Sequence, residues 1–338
     1  MGSIGTLRSR AGSIGVAIAV LSCAMFWRAA SAQQPAPLRL VSTAWPPFTN
    51  APGHPRFALD LTEAALARIG LSSRTTIVSA AQFTPTLLSG LFDGSAAVWK
   101  DAERERSLVF SQPYLENRLV LVGRHGADVS ASSLTALRNK KVAIVDGYSY
   151  GDTIDGVGAI WVRSRSEEDS VQQLLRGAVD YTLIDELVVE YIVKNYPAEA
   201  DTKLQIGSTP LLTRPLYFAI SRSRNDAQTI IDGFNAQLRG MITDRTYNRL
   251  LHVDWIQADI NGTLQNVPSS DQVGSVEPQR VYRLFSGSVA ASSAVQPGFY
   301  LGGTTYGDWA SVPENYKVDN ANPPDPRRST ASIFKFIW

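Results

Sequence analysis

The sequence predicts an α/β protein made of two units with mostly parallel sheets. Three observations carry that expectation: strand-like apolar runs alternate with helix-like runs, the alternation occurs twice, and it stops after Trp255. At 338 residues, 44% hydrophobic and 19% charged, the chain is long enough to bury two cores.

In the first run, residues 38–43 (LRLVST) read as a strand. Trp45-Pro46-Pro47-Phe48 ends it, because neither proline can extend a ladder. Over 57–69, Leu61, Ala65 and Ile69 share one helical face, and Gly70 stands where a helix C-cap belongs. A helix is predicted over 85–91, a strand over 95–99, a charged loop over 100–106 and a strand over 119–122.

The second run repeats this grammar. Residues 141–145 form a strand running into Gly147-Tyr148-Ser149-Tyr150-Gly151. Ser166 with Glu167, Glu168 and Asp169 makes a capping box, its acids at the positive end of the helix dipole, and Val171, Leu174, Leu175 and Ala178 form the buried stripe. Strand 179–184, helix 186–194, strand 216–220 and helix 227–241 follow, the last with Ile230, Phe234 and Leu238 on one face.

Residues 256–338 lose this periodicity and are rich in Ser, Gly, Asn and Pro. They read as a C-terminal extension, partly disordered or a small irregular β module. Phe334, Phe336 and Trp338 alternate near the end, a pattern for an added edge strand or a frayed terminus.

Residues 1–32 read as an export signal. Arg8 and Arg10 precede an apolar stretch over 11–27, and Ala30-Ser31-Ala32 has the small-x-small form of a cleavage site. Cleavage removes Cys23, the sole cysteine, so the exported chain is held by packing alone. It also removes three arginines and no acid, so the net charge goes from +1 to −2. Val20-Leu21-Ser22-Cys23 also has the form of a lipoprotein box, but apolar Ala24-Met25-Phe26-Trp27 after the cysteine makes a poor tether. An uncleaved anchor is disfavoured, because Ser13, Gly15 and Ser22 interrupt the apolar run.

With 32 basic against 31 acidic residues there is no concentrated basic field, which argues against a nucleic-acid partner. His54, His125 and His252 lie far apart, so no metal site and no cofactor is expected. Asp259-Ile260-Asn261-Gly262-Thr263 resembles a calcium loop only faintly: Leu264 stands at the turn-glycine position and Ser270 at the bidentate-acid position. A plain turn is expected there.

Gly147-Tyr148-Ser149-Tyr150-Gly151 matches G-x-S-x-G after a strand, as a serine-hydrolase elbow would, with Asp180 or Asp185 and His252 downstream in the required order. No oxyanion loop precedes it, and the glycine-containing stretch 152–158 makes a weak continuation into a helix. The other reading is a glycine-flanked turn whose amides and hydroxyl bind an anion.

Leu88-Ser89-Gly90-Leu91-Phe92-Asp93-Gly94, Ala102-Glu103-Arg104 and Phe110-Ser111-Gln112-Pro113-Tyr114, followed by a strand, resemble the extracellular solute-binding proteins of family 3. The resemblance covers residues 38–255. It implies a two-lobed type II periplasmic-binding-protein fold with a hinge, with 38–124 and 212–255 in one lobe and 125–211 in the other. It further implies a monomeric, non-enzymatic receptor that hands an amino-acid-like solute to the permease of an ABC transporter.

Carried over residue by residue, Arg104 matches the clamp on a ligand α-carboxylate, for which a guanidinium fork is suited. Tyr148 and Ser149 lie in the turn that offers amides and a hydroxyl to the same group. Asp185 matches the acid that binds the α-ammonium; by itself an aspartate there can equally cap the next helix. Trp45 matches the aromatic that covers the ligand side chain, and alternatively reads as a core tryptophan.

Ala96-Ala97-Val98-Trp99 departs from the small polar residues usual before the arginine, and Ser42 stands where many members carry an acid. Ala97 and Trp99 therefore join the site as apolar walls. With Trp45, Trp99, Tyr148 and Tyr150 together, the pocket suits apolar, aromatic or cationic ligands, and Lys100 and Asp101 can reach inward. The competing class is a cleft enzyme such as a cyclohexadienyl dehydratase, with Asp101 or Glu103 as general acid.

Overall fold

The computed structural model describes residues 35–279, 281–284 and 297–318, together with Met1, Gly2 and Gly5. The signal segment with Cys23, and the terminal Phe334, Phe336 and Trp338, lie outside the described residues. No helix among the described residues is long and apolar enough to cross a membrane.

The first run gives β1 (Leu38–Thr43), α1 (Phe57–Arg68), β2 (Ser73–Val78), α2 (Ala80–Leu88), β3 (Gly94–Trp99), α3 (Ala102–Ser107), β4 (Leu108–Phe110) and β5 (Leu115–Arg124). The second gives β6 (Lys141–Val145), β7 (Ile160–Ser164), α4 (Glu167–Leu175), β8 (Tyr181–Asp185), α5 (Glu186–Asn195), α6 (Pro197–Lys203) and β9 (Leu204–Ser221). Then come α7 (Ala227–Thr243) and α8 (Thr246–Leu251).

Local chemistry explains the helix ends. Gly70, at φ +75°, ends α1 with the Leu71 N–H donating to Leu66 O and the Gly70 N–H to Ala67 O, a Schellman closure that needs a left-handed residue. In α4 the Ser166 hydroxyl accepts from the Asp169 N–H at 3.2 Å, as the capping pattern requires, while Asp169 reaches back to the Arg165 N–H at 3.0 Å.

Two expectations need correction. The helix expected at 85–91 begins at Ala80, with Pro85 inside it. The charged loop expected at 100–106 contains α3, because the Asp101 carboxylate caps it by accepting the Arg104 N–H at 2.8 Å.

A nine-stranded sheet runs through both halves in the order β2-β1-β3-β9-β5-β8-β6-β7, with β4 pairing β9 to the side. β1, β2 and β3 pair in parallel at one end, and β6, β7 and β8 at the other. The long antiparallel pair β5 and β9 belongs to both ends. Its register shifts between Leu119 and Val120 and again between Val120 and Val122. Helices α1 and α7 pack together over the first part of the sheet, and α4 and α5 cover the second.

From Trp255 onward the described chain forms β10 (Trp255–Ile260), β11 (Thr263–Pro268), β12 (Val273–Gly274), β13 (Tyr282–Arg283), β14 (Gly298–Leu301), β15 (Thr304–Tyr306) and β16 (Lys317–Val318). Their five-stranded sheet has the order β13-β10-β11-β14-β15, while β12 pairs β16. The faint calcium loop is the turn of the β10–β11 hairpin, with Asn261 and Gly262 at φ +53° and +85° and Asp259 accepting the Gly262 N–H at 2.6 Å. Ile256, Ala258, Ile260 and Val267 join the main core, whereas Phe299, Leu301 and Val312 form a small core of their own beside Trp255 and Trp309.

Candidate functional site

Strand ends and the loops after them build a cleft between the two halves of the large sheet. Trp45 follows β1, Ala97 and Trp99 lie on β3, and Arg104 sits on α3. Opposite them, Tyr148 and Ser149 lie on the loop after β6. These six surround one cavity of about 30 Å³, together with Thr43, Phe83, Gly147 and Leu216. That holds a water or two, far less than a ligand pocket of about 300 Å³ or more.

Aromatic rings fill the remaining space. Trp45 and Trp99 meet edge to face, at 5.5 Å and 90°. Tyr148 packs against both from across the cleft, at 5.6 Å from each. Tyr150 stands 5.5 Å from Trp99, and its hydroxyl accepts from the Val145 N–H at 2.9 Å. The Trp45 Nε1–H is buried and has no hydrogen-bond partner among the described residues.

Arg104 is 3% exposed. Its Nη1 donates to Trp99 O at 2.9 Å, its Nη2 to Thr84 Oγ1 at 2.6 Å, and the guanidinium lies 5.5 Å from the Phe83 ring. Nε is left without a hydrogen-bond partner among the described residues. Burial lowers the pKa of this group from its usual value, partly offset by the charges of Asp101 and Glu103. Asp101 Oδ2 stands 3.5 Å from Nη1 and accepts the Ser149 hydroxyl at 2.6 Å. Burial alone would raise the Asp101 carboxyl. The hydrogen bonds from the Arg104 N–H and Ser149, with the Arg104 charge, outweigh it and hold the group below the usual carboxylate range.

Asp185 is not on the cavity wall. Its carboxylate caps α5 through the Leu187 N–H at 2.8 Å, and accepts the Arg118 N–H at 3.0 Å and Asn117 Nδ2 at 3.1 Å. Asn117 in turn accepts Trp99 Nε1 at 2.7 Å, so the aspartate touches the site through one intermediary. Burial pushes Asp185 up to about 7. Glu167, at the start of α4, is also buried; burial, with the Asp185 charge adding to it, pushes it up to about 8, and its Oε2 has no hydrogen-bond partner among the described residues.

Sequence reasoning missed Thr84, Asn117 and Glu167 as parts of this arrangement. Thr84 fell outside the expected helix at 85–91, Asn117 lies on the stretch of β5 before 119, and Glu167 read only as a capping acid. Ser149 hydrogen bonds to Asp101, whereas His252 lines separate cavities, so the elbow reading lacks its base beside the serine. Among the described residues no group of three His, Cys, Asp or Glu side chains could hold a metal ion.

The family model for bacterial extracellular solute-binding proteins, family 3, matches residues 40–258. The chain belongs to that family. Among solved structures, this solute-binding protein resembles an ancestral arginine-binding protein bound to arginine, at 24% identity and TM-score 0.55, over 65% of this chain and 98% of that one. It also resembles holo ArgBP from T. maritima, at 23% identity and TM-score 0.51, over 64% and 94%. A third is the GluR0 ligand-binding core from Nostoc punctiforme in complex with L-glutamate, at 21% identity and TM-score 0.53, over 63% and 97%. These likenesses show the two-lobed fold. No curated protein sequence matches the chain.

Proposed function

We propose that this solute-binding protein is an exported receptor that captures a small amino-acid-like solute between its lobes. In this reading residues 1–32 direct it to the periplasm, 38–124 with 212–255 form one lobe and 125–211 the other, and the loaded form delivers its solute to an ABC transporter permease. It performs no chemistry on what it binds. Arginine and glutamate in the similar structures set the ligand size this reading expects.

The observation that carries it is the closure across the cleft: Tyr148 wedges against Trp45 and Trp99, and Ser149 hydrogen bonds to Asp101. A solute seated there touches both lobes, and so favours the closed state by its extra affinity for it. Trp45, Ala97, Trp99 and Arg104 are its contacts on one side, and Tyr148 and Ser149 on the other, with Asp185 acting through Asn117.

The test is a thermal-shift panel of amino acids, amines and small carboxylates. Ligand at 100 times its dissociation constant adds about 2.7 kcal/mol to stability. A compound that raises the midpoint in the native protein, and does so weakly or not at all in a folded Tyr148→Ala protein, supports the cleft. A panel without any shift ends the receptor reading for this class of solute.

A further inference from the structure

The Arg104 end of the cleft already holds a carboxylate. Asp101 Oδ2 lies 3.5 Å from Arg104 Nη1 and accepts the Ser149 hydroxyl at 2.6 Å, so one side chain of this protein links the buried cation of one lobe to the hydroxyl of the other. Both Nη atoms of Arg104 are engaged, with Trp99 O and Thr84 Oγ1. Arg214, the other cation at this end, donates to Lys100 O at 2.7 Å and lies 5.8 Å from the Trp99 ring. A solute carboxylate arriving here meets the like charge of Asp101, which already stands beside Arg104 Nη1 and holds the Ser149 hydroxyl, an arrangement that works against an anion at this place.

The remaining walls suit a cation: Trp45, Trp99 and Tyr148 offer π surface to it.

We propose that Asp101 is the specificity-determining residue of this cleft and that its carboxylate, set between Arg104 and Ser149, selects organic amines or guanidines lacking an α-carboxylate over the parent amino acids. This rests on the receptor reading above and narrows its ligand class. Asp101 stands where a solute carboxylate would have to stand. It is displaced only at the cost of its bonds to Arg104 and Ser149.

Two matched pairs test it by calorimetric titration at neutral pH: agmatine against arginine, and tyramine against tyrosine, each with the native protein, Asp101→Asn and Asp101→Ser. Both replacements keep an N-cap acceptor for α3, so the fold is retained. The native protein is expected to bind at least one decarboxylated compound about tenfold or more tighter than its parent, and Asp101→Asn to move that ratio about tenfold toward the amino acid. Native preference for the amino acid, or a ratio that neither replacement moves, overturns the proposal and leaves the receptor reading standing. If none of these compounds binds either protein, the proposal is overturned, and the wider panel decides the receptor reading separately: a hit there keeps the receptor and discards the amine.

Discussion

Gly147, on the loop after β6, lies so close to Ala80 at the start of α2 that a methyl group added to it would stand 2.6 Å from the Ala80 carbonyl oxygen. The two residues belong to opposite sides of the cleft, and Gly147 also holds a left-handed φ of +79°. Gly147→Ala is therefore expected to fold with a loss of about 1–2 kcal/mol and to close incompletely. Small-angle scattering and titration with any compound from the panel check this: the radius of gyration rises and affinity falls about tenfold or more. Unchanged affinity would mean that this contact is no part of the bound form.

Tyr148 supplies the aromatic bridge between the lobes, with both tryptophans at 5.6 Å. Aromatic pairs contribute about 0.5–1.5 kcal/mol each beyond the area they bury, so Tyr148→Ala should shift the closed-to-open ratio by roughly tenfold. Tryptophan emission reports it, because Trp45 and Trp99 are 6% and 5% exposed in the closed form. A red shift is expected for Tyr148→Ala and a much smaller one for Tyr148→Phe.

Asp185 has a structural task that precedes any ligand. Asp185→Ala removes the cap of α5 and strands the buried donors on Asn117 and Arg118, for a loss of about 3 kcal/mol. Urea unfolding of the ligand-free protein measures it. A loss below about 0.5 kcal/mol, the scale of an ordinary surface substitution, would assign Asp185 to ligand binding alone.

Burial places the carboxyls of Glu167 at about 8 and Asp185 at about 7, above their ordinary values of 4.5 and 3.8. Between the ordinary and the raised values the folded chain holds more protons than the unfolded one. The contribution of these groups is thus fully present below about pH 4 and is lost as pH rises through 7 to 8, by at most about 1.4 kcal/mol per pH unit for each. Glu167→Gln should flatten the fall in stability between pH 5 and 8. Parallel urea curves across that range decide it, and an unchanged slope would contradict the assignment.

Arg118 on β5 pairs with Glu116 and Glu186, donates to the Arg283 carbonyl, and lies 5.5 Å from the Tyr282 ring. The C-terminal module thus grips the strand that joins the lobes. Tyr282→Ala is expected to lower stability by about 2 kcal/mol through lost ring burial and cation–π attraction. Thermal unfolding checks it, and an unaltered midpoint would show that β13 does not hold Arg118 in solution.

Much of the fold was legible where local signals agree with burial. α1, α4, α5 and α7 carry periodic apolar faces, the first three ended or started by the caps Gly70, Ser166 and Asp185, and these helices and β1 form close to their expected bounds. β2 escaped notice because its SRTTIV alternates exposed and half-buried positions at the sheet edge. Only the end of β9 was legible, since Pro210 and Pro215 argue against a strand; they are accommodated opposite Val120 and Glu116, Pro210 beside a shift in register. α3 was read as charged loop because, of its six residues, Arg104 alone is buried.

The seven candidate site residues show the same division. Six line one cavity because they lie near the ends of β1, β3 and β6 or in the segments just after them, on the seam between the lobes, where an open α/β sheet presents its loops. Asp185 shares that topological position, but its side chain turned to the nearest unsatisfied N–H groups, a choice that depends on Asn117 and Arg118 far off in sequence.

The paired strands β5 and β9 also fix what kind of motion opens this molecule. They stay hydrogen bonded from Leu115 opposite Leu216 to Arg124 opposite Leu204, so the joint is a twisted ribbon and not a loose tether. The ladder is already irregular around Leu119 to Val122, the place where bending is expected to gather. A paired ribbon of this kind is expected to guide the lobes through a rotation and to bring Tyr148 back to the same place between the two tryptophans on each closure.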